Sequence, residues 1–341
     1  MKIGIVTVYD AITNIGSYLQ AYSMKTVLEQ LGNEVVFIEK EPLWKSITSC
    51  ALKINPKRAI LHRLKRCVNY YFAAKHFSFV NYSNIENEKL DLLLFGSDEI
   101  WNLENPYFKD KLFWGKGISS IPKVAYAVSM GSLSQQTINQ NINLVNEVNN
   151  FKSICVRDMH TQKLVQSICG KCFPVVCDPT FLVSSDIFSF PCKLPKQKYL
   201  LVYSYGVDKN LEKKIRNYAT THNLKIVSAF FWHICCDMTI TCSPFEFSFL
   251  IKNAECVFTS TFHGAVYTML NKKRCCIFPA REKVADLVYR FGVNENLIDE
   301  ITSQKQFDLT MDKEFPDSKF DSNLKSIKEE SIKQLIEVLK C

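Results

Sequence analysis

Short apolar runs alternate with longer stretches of helical spacing along most of the chain, the pattern of parallel strands covered by helices. In the first half, strands are expected at 3–8, 34–38, 92–95, 124–127, 153–156 and 175–177. Between the first two, GSYLQAYSMKTVLEQLG at 16–32 holds Tyr18, Leu19, Tyr22, Val27, Leu28 and Leu31 at helical spacing and stops on Gly32. Residues 1–38 therefore read as a βαβ unit. After DPTFLV the chain turns polar and is broken by Pro191 and Pro195, which marks 183–198 as an interdomain linker. A second alternation follows, with strands expected at 199–203, 225–230, 256–259 and 274–278, and helices near 208–222, 244–252, 264–271 and 281–291. This gives an N-terminal domain over 1–182 and a C-terminal domain over 199–315. An amphipathic stretch at 322–340, within the terminal segment 316–341, predicts a helix that packs back across the domains. The expected fold is α/β, two Rossmann-like domains facing across a cleft, with chemistry at the carboxyl ends of their strands.

Composition supports two cores rather than one. A chain of 341 residues exceeds the size at which single cores stop growing, and 47% hydrophobic against 22% charged residues excludes disorder. The longest apolar runs, such as LDLLLF at 90–95, fall far short of a bilayer span. The start, MKIGIVTVYD, alternates into a strand and shows no signal-peptide core, so a cytoplasmic location is expected. Fourteen cysteines are scattered through strand-like runs, which fits buried reduced thiols. Cys169 and Cys172 have CxxC spacing, but no second pair accompanies them, and no metal is expected.

The net charge of +8 is unevenly spread. No acidic residue occurs from Leu43 to Ile85, while basic residues including Lys45, Lys57, Arg63, Lys65 and Lys75 fall among Trp44, Leu61, Leu64, Tyr71 and Phe72. This segment reads as a basic helical insertion over 43–85 with a buried apolar stripe, or as a surface for an anionic membrane or partner at the inner membrane face. No nucleic-acid-binding motif accompanies it.

The chemistry-bearing residues cluster at predicted strand exits. In DAITNIGSYLQAY, Asn14 can cap a helix or offer its amide, and Gly16 allows close approach of a bound group. LLLFGSDEIWN sets Ser97 and Asp98 just past an apolar strand, where Asp98 can take a proton from a hydroxyl or cap the next turn. SICVRD exposes Arg157 at another exit, suited to gripping a carboxylate or phosphate, or to a salt bridge near Asp158. Asp178, before Pro179, reads as a rigid turn first and a ligand second. CVFTSTFHGAVYTML ends a strand at a corner holding Thr261, His263 and Gly264, where a helix start favours anions. Arg281 and Lys283 stand at a comparable exit and complete a cationic pocket.

In that order, TNIGSYLQAYSMKTVLEQLGNEV, DLLLFGSDEIWN, KVAYAVSMGS, SICVRD, VVCDPTFL, SPFEFSFLIKNAECVFTSTFHGAVYTML and REKVADLVYRFGV resemble the polysaccharide pyruvyl transferase family. The resemblance implies a glycosyltransferase-B-like fold, phosphoenolpyruvate as donor with no further cofactor, and a sugar acceptor, often lipid-linked, that becomes a pyruvate ketal in cell-surface polysaccharide synthesis. Ketal formation needs both a general acid and a general base, and His263 is expected as the acid or phosphate partner and Asp98 as the base. Arg157, Lys283, Arg281, Gly264, Asn14, Gly16, Ser97 and Thr261 would bind substrate. Family members commonly carry an arginine two residues before the histidine, where this chain has Thr261. A nucleotide-sugar glycosyltransferase and a non-catalytic glycan-binding relative share the architecture and stay open at this point.

Overall fold

The computed structural model describes residues 1–40 and 60–340, so 43–59 of the basic segment lies outside the described residues. The first lobe runs through β1 (Lys2–Val6), α1 (Ile15–Gln30), β2 (Glu34–Glu39), α2 (Ile60–Ala74), β3 (Phe79–Asn81), β4 (Leu92–Phe95), β5 (Lys123–Val128), α3 (Gln135–Gln140), α4 (Ile142–Val145), β6 (Ser153–Val156) and α5 (Met159–Cys169). Its six-stranded sheet has the order β3-β2-β1-β4-β5-β6. Every pairing is parallel, with Ile3 opposite Val35 on one side and Leu92 on the other. Helices cover both faces of such a sheet, which is why β4 is Leu-Leu-Leu-Phe and buried throughout.

The second lobe continues with β7 (Tyr199–Tyr203), α6 (Lys209–Thr221), β8 (Lys225–Ala229), β9 (Met238–Ile240), α7 (Phe247–Lys252), β10 (Cys256–Thr259), α8 (Phe262–Leu270), β11 (Cys275–Ile277), α9 (Glu282–Arg290) and α10 (Gln304–Asp312). Its five-stranded parallel sheet has the order β11-β10-β7-β8-β9. Each lobe therefore starts on a central strand, builds outward on one side, and returns to the other. Loops leaving the two adjacent central strands part in opposite directions and open a crevice at their carboxyl ends. In the first lobe that switch point lies between β1 and β4, in the second between β7 and β10. The two-domain α/β architecture is thus the expected one.

Local differences have local causes. Val175 makes one isolated bridge to Val156, so the strand expected at 175–177 does not form. Within the expected helical insertion, Phe79–Asn81 instead extends the sheet edge beside β2. α5, β9 and α10 are further elements that the pattern did not predict. Among the described residues, no helix is long and apolar enough to cross a membrane.

The last helix, α11 (Asp317–Leu339), joins the lobes. Its start belongs to the second lobe, where Phe320 packs 5.3 Å from Phe315 and 6.0 Å from Phe291, and Asp321 pairs with Lys272 at 2.6 Å. Its later turns lie on the first lobe. There Ser331 Oγ accepts from the Cys177 backbone N–H at 2.9 Å and the Ser331 carbonyl accepts from Tyr126 Oη at 3.3 Å. Leu335 is fully buried behind them. Ser331→Ala leaves the Cys177 N–H without its acceptor in a dry site. It is expected to cost about 1–3 kcal/mol, read as a lower urea midpoint at unchanged m-value; an unshifted midpoint would show that this clasp does not stabilise the fold.

Candidate functional site

The two switch points face each other and enclose a cavity of about 490 Å³. Its walls come from the loop after β1 and the start of α1 (Asp10, Asn14), the loop after β4 (Asp98, Glu99), and the β10–α8 corner (Thr261, His263). Arg281 and Lys283, after β11, close the side, and Tyr9, Tyr107 and Tyr205 add aromatic surface.

His263 occupies the first turn of α8 and is almost wholly buried, yet it lines the cavity. Its position depends on a neighbour with no side chain. A Cβ on Gly16 would lie 2.2 Å from His263 Nδ1 and 2.6 Å from its Cγ, so only glycine lets the start of α1 approach this imidazole. Gly264 is similarly confined, because a Cβ there would lie 2.1 Å from Thr259 Oγ1. The opposite ring nitrogen, Nε2, points at Asp178, 3.6 Å from Oδ2.

Asp178 is the fixed centre of the site. Its Oδ2 accepts from Arg157 Nη1 at 3.1 Å, while Oδ1 accepts from the backbone N–H and hydroxyl of Thr180 at 3.1 and 2.7 Å. Burial alone would raise the pKa of this carboxyl. The His263 and Arg157 contacts and the Thr180 hydroxyl outweigh that and hold it well below the carboxylate range. Arg157 then reaches Asp98 Oδ1 at 3.4 Å, and Phe262 lies with its ring centre 4.5 Å from the guanidinium carbon. Burial disfavours the charged guanidinium, but Asp98 and Asp178 more than compensate and raise its pKa. Asp98 itself sits at φ +76°, a conformation that aspartate tolerates better than most residues, and its carbonyl accepts from the Ser129 N–H at 2.9 Å.

A second charged group spans the lobes. Glu99 receives Lys283 Nζ at 2.5 Å and Arg281 Nη1 at 3.0 Å from the opposite domain, and Asn102 Nδ2 at 3.2 Å from its own. Burial pushes the Glu99 carboxyl up, but Lys283, Arg157 and Arg281 bring it down to about 2.

Several sequence expectations are corrected by these partners. Arg157 is not a free grip for an anion: it is buried, does not line the cavity, and bridges Asp98 to Asp178. Asp158, its neighbour, instead caps α5 by accepting from the Thr161 N–H at 2.7 Å. Ser97 is wholly buried and donates its hydroxyl to Gln20 Oε1, away from the cavity. The Gly264 N–H is already taken by Thr261 Oγ1 at 3.0 Å, so this helix start offers one donor fewer to a ligand. Gly16 serves His263 rather than a ligand, and its N–H is held by the Asn14 side chain at 2.9 Å. Lys283 and Arg281 do line the cavity, but each already pairs with Glu99. The missed residue is Glu99, hidden beside Asp98; Asp178, read as a turn first and a ligand second, caps its turn through Thr180 and also faces His263 and Arg157.

Three comparisons place this geometry among known proteins. A family model for polysaccharide pyruvyl transferases matches residues 14–280. No curated protein matches the chain in sequence. Among solved structures, the UDP-GlcNAc 2-epimerase of Methanocaldococcus jannaschii is similar at 12% identity and TM-score 0.55, over 97% of this chain and 100% of that one. The UDP-GlcNAc 2-epimerase of Neisseria meningitidis, bound to UDP-GlcNAc, is similar at 11% identity and TM-score 0.56, over 100% of both chains. Such likeness shows the fold alone.

Two outcomes follow from the packing and the charges. Gly16→Ala must displace His263 or α1 and is expected to cost about 1–3 kcal/mol, seen in denaturant unfolding; full stability would mean the contact relaxes freely. Glu99 has a folded-state pKa of about 2, below its ordinary 4.5. Its ion pairs therefore stabilise the protein above about pH 4.5, and that contribution is lost as the pH falls toward 2. Glu99→Gln should remove on the order of 1–3 kcal/mol at neutral pH and flatten the loss of stability in that acid window. Parallel acid curves for the two proteins would refute this assignment.

Proposed function

The chain belongs to the polysaccharide pyruvyl transferase family, and from that premise we propose that it transfers the pyruvyl group of phosphoenolpyruvate to two neighbouring hydroxyls of a sugar, forming a ketal. The observation that carries the reading is His263, facing Asp178 at the wall of a cavity that also presents Asp98, Lys283 and Arg281.

Phosphoenolpyruvate brings a phosphate and a carboxylate, so it needs cations that can turn toward it. Arg157 is committed to two carboxylates; Lys283 and Arg281 are the cations at the cavity wall, and Arg281 is more than half exposed. They are the proposed donor seat, entered by exchanging Glu99 for the donor's oxygens. Thr261, where the family arginine would stand, caps α8 and adds no charge.

The reaction begins with a proton added to the methylene carbon, which makes the adjacent carbon electrophilic. One sugar hydroxyl attacks that carbon, inorganic phosphate leaves, and the second hydroxyl closes the ketal. Of the two hydroxyl protons released, one replaces the proton given to the methylene carbon and one leaves with phosphate or solvent. With Nε2 of His263 facing Asp178, Nδ1 is the nitrogen assigned to the donor as general acid. Asp98 uses Oδ1 for Arg157 and for the Glu99 N–H, at 2.8 Å from the latter, which assigns Oδ2 to the attacking hydroxyl as general base.

A second reading draws on the Neisseria structure, which is bound to UDP-GlcNAc. A cavity of about 490 Å³ with tyrosine walls has room for a nucleotide sugar. Thermal protection by UDP sugars and none by phosphoenolpyruvate would favour that reading.

The decisive measurement is phosphate release from phosphoenolpyruvate with a panel of galactose-, mannose- and glucosamine-terminated acceptors, with products read by mass. Acceptor-dependent release is expected, and His263→Ala should lower it about a hundredfold or more while the fold persists. Undiminished turnover in a folded His263→Ala protein removes the assignment of the acid.

A further inference from the structure

We infer that α2 is a docking surface for an anionic lipid bilayer, lying beside the mouth of the site. One face of this helix is tied to the rest of the protein. Tyr70 lines the cavity, Ala73 accepts from the Tyr18 hydroxyl at 2.9 Å, and Asn69 donates to the Thr241 carbonyl at 3.3 Å. The Arg66 guanidinium stacks 4.1 Å from the Phe230 ring centre, and His62 Nδ1 lies 2.5 Å from Thr241 Oγ1. These contacts reach both lobes, so the helix is rigidly presented.

Among the described residues, the other face is apolar and open. Leu61, Leu64, Val68, Tyr71 and Phe72 are 81%, 50%, 53%, 49% and 59% exposed. Their spacing of three, four, three and one residues keeps them on one side of the helix. Five large apolar side chains in one stripe exceed the scattered exposure normal for a protein surface and mark a contact face.

Charge selects the occupant. Lys65 and Lys75 are exposed on the borders of the stripe, and no acidic residue occurs anywhere from 43 to 85. The Lys75 ammonium rests 4.7 Å from the Tyr71 ring centre and 5.1 Å from that of Phe72. Lysines flanking an apolar stripe let it sink into the headgroup boundary while their ammonium groups stay with lipid phosphates. A second copy of the chain would bring like charges together across the stripe, which disfavours self-association there. The bilayer inference goes beyond the proposed reaction and does not need it; if both hold, a lipid-anchored acceptor would meet the cavity beside Tyr70.

The test is sedimentation of the full chain with vesicles of phosphatidylcholine, with and without phosphatidylglycerol. Binding to the anionic vesicles is expected to exceed that to neutral ones by about tenfold or more and to fall with added salt. Leu64→Glu with Phe72→Glu, and separately Lys65→Glu with Lys75→Glu, should each weaken it by about tenfold or more; all four side chains are exposed, and circular dichroism verifies folding. The inference is overturned if the wild-type chain does not bind anionic vesicles, if both variants bind as it does, or if it is a dimer that Leu64→Glu with Phe72→Glu splits into monomers. None of these readouts involves phosphoenolpyruvate.

Discussion

One buried carboxylate governs the site. Asp178 is fully enclosed, and a lone carboxylate there would be neutralised by protonation rather than tolerated as a charge. It remains charged because Arg157 and Thr180 bond to it and His263 faces it. The requirement runs both ways: Arg157 is equally buried, and without Asp178 and Asp98 its guanidinium would be an uncompensated buried charge. Arg157 therefore acts as a spacer of fixed charge between Asp98 and Asp178, the carboxylate that His263 faces. Removing it would leave two buried carboxylates facing each other, which is why its place at a strand exit looks like substrate recognition but is first a condition for the site to exist.

That distinction explains what could be read from the chain. The strand exits were legible because each follows a largely apolar run: LLLF before Asp98, SICV before Arg157, CVFT before His263. Thr261, read as a substrate-binding residue, turns out to be a helix cap, whereas the cap of the same kind at Asn14 was legible for a similar reason, since it is a small polar residue one place ahead of a helix. Edge strands were not, because Phe79–Asn81 and Met238–Ile240 are three residues long and carry no alternation to detect. Nor was the pairing of charges. Arg157 meets Asp98 across 59 positions and Glu99 meets Arg281 across 182, and no local pattern reports such distances. The glycine at 16 invites the same error, because a glycine at a strand exit suggests a ligand, whereas this one makes room for an imidazole from the other lobe.

The lobes are joined in two physically different ways. On one side the seam is apolar: Phe181 stacks on Phe291 at 4.3 Å, Tyr18 and Tyr22 meet Phe245 at 5.7 and 5.2 Å, and α11 straps both domains. Opening that seam would expose aromatic surface and has no compensating partner in water. At the cavity the link is ionic, Glu99 with Lys283 and Arg281, and Arg281 is partly in solvent. This link depends on the charge of Glu99 and so on pH, whereas the apolar seam does not.

α2 is tied to the same seam, since it is bonded to Phe230 and Thr241 of the second lobe and to Tyr18 of the first. Held by both lobes, it keeps its outward stripe in a set place relative to the cavity wall that Tyr70 helps to form. The same bonds that leave Leu64 and Phe72 exposed to solvent thus hold Tyr70 against the cavity, and one helix supplies both an outward apolar stripe and part of the cavity wall.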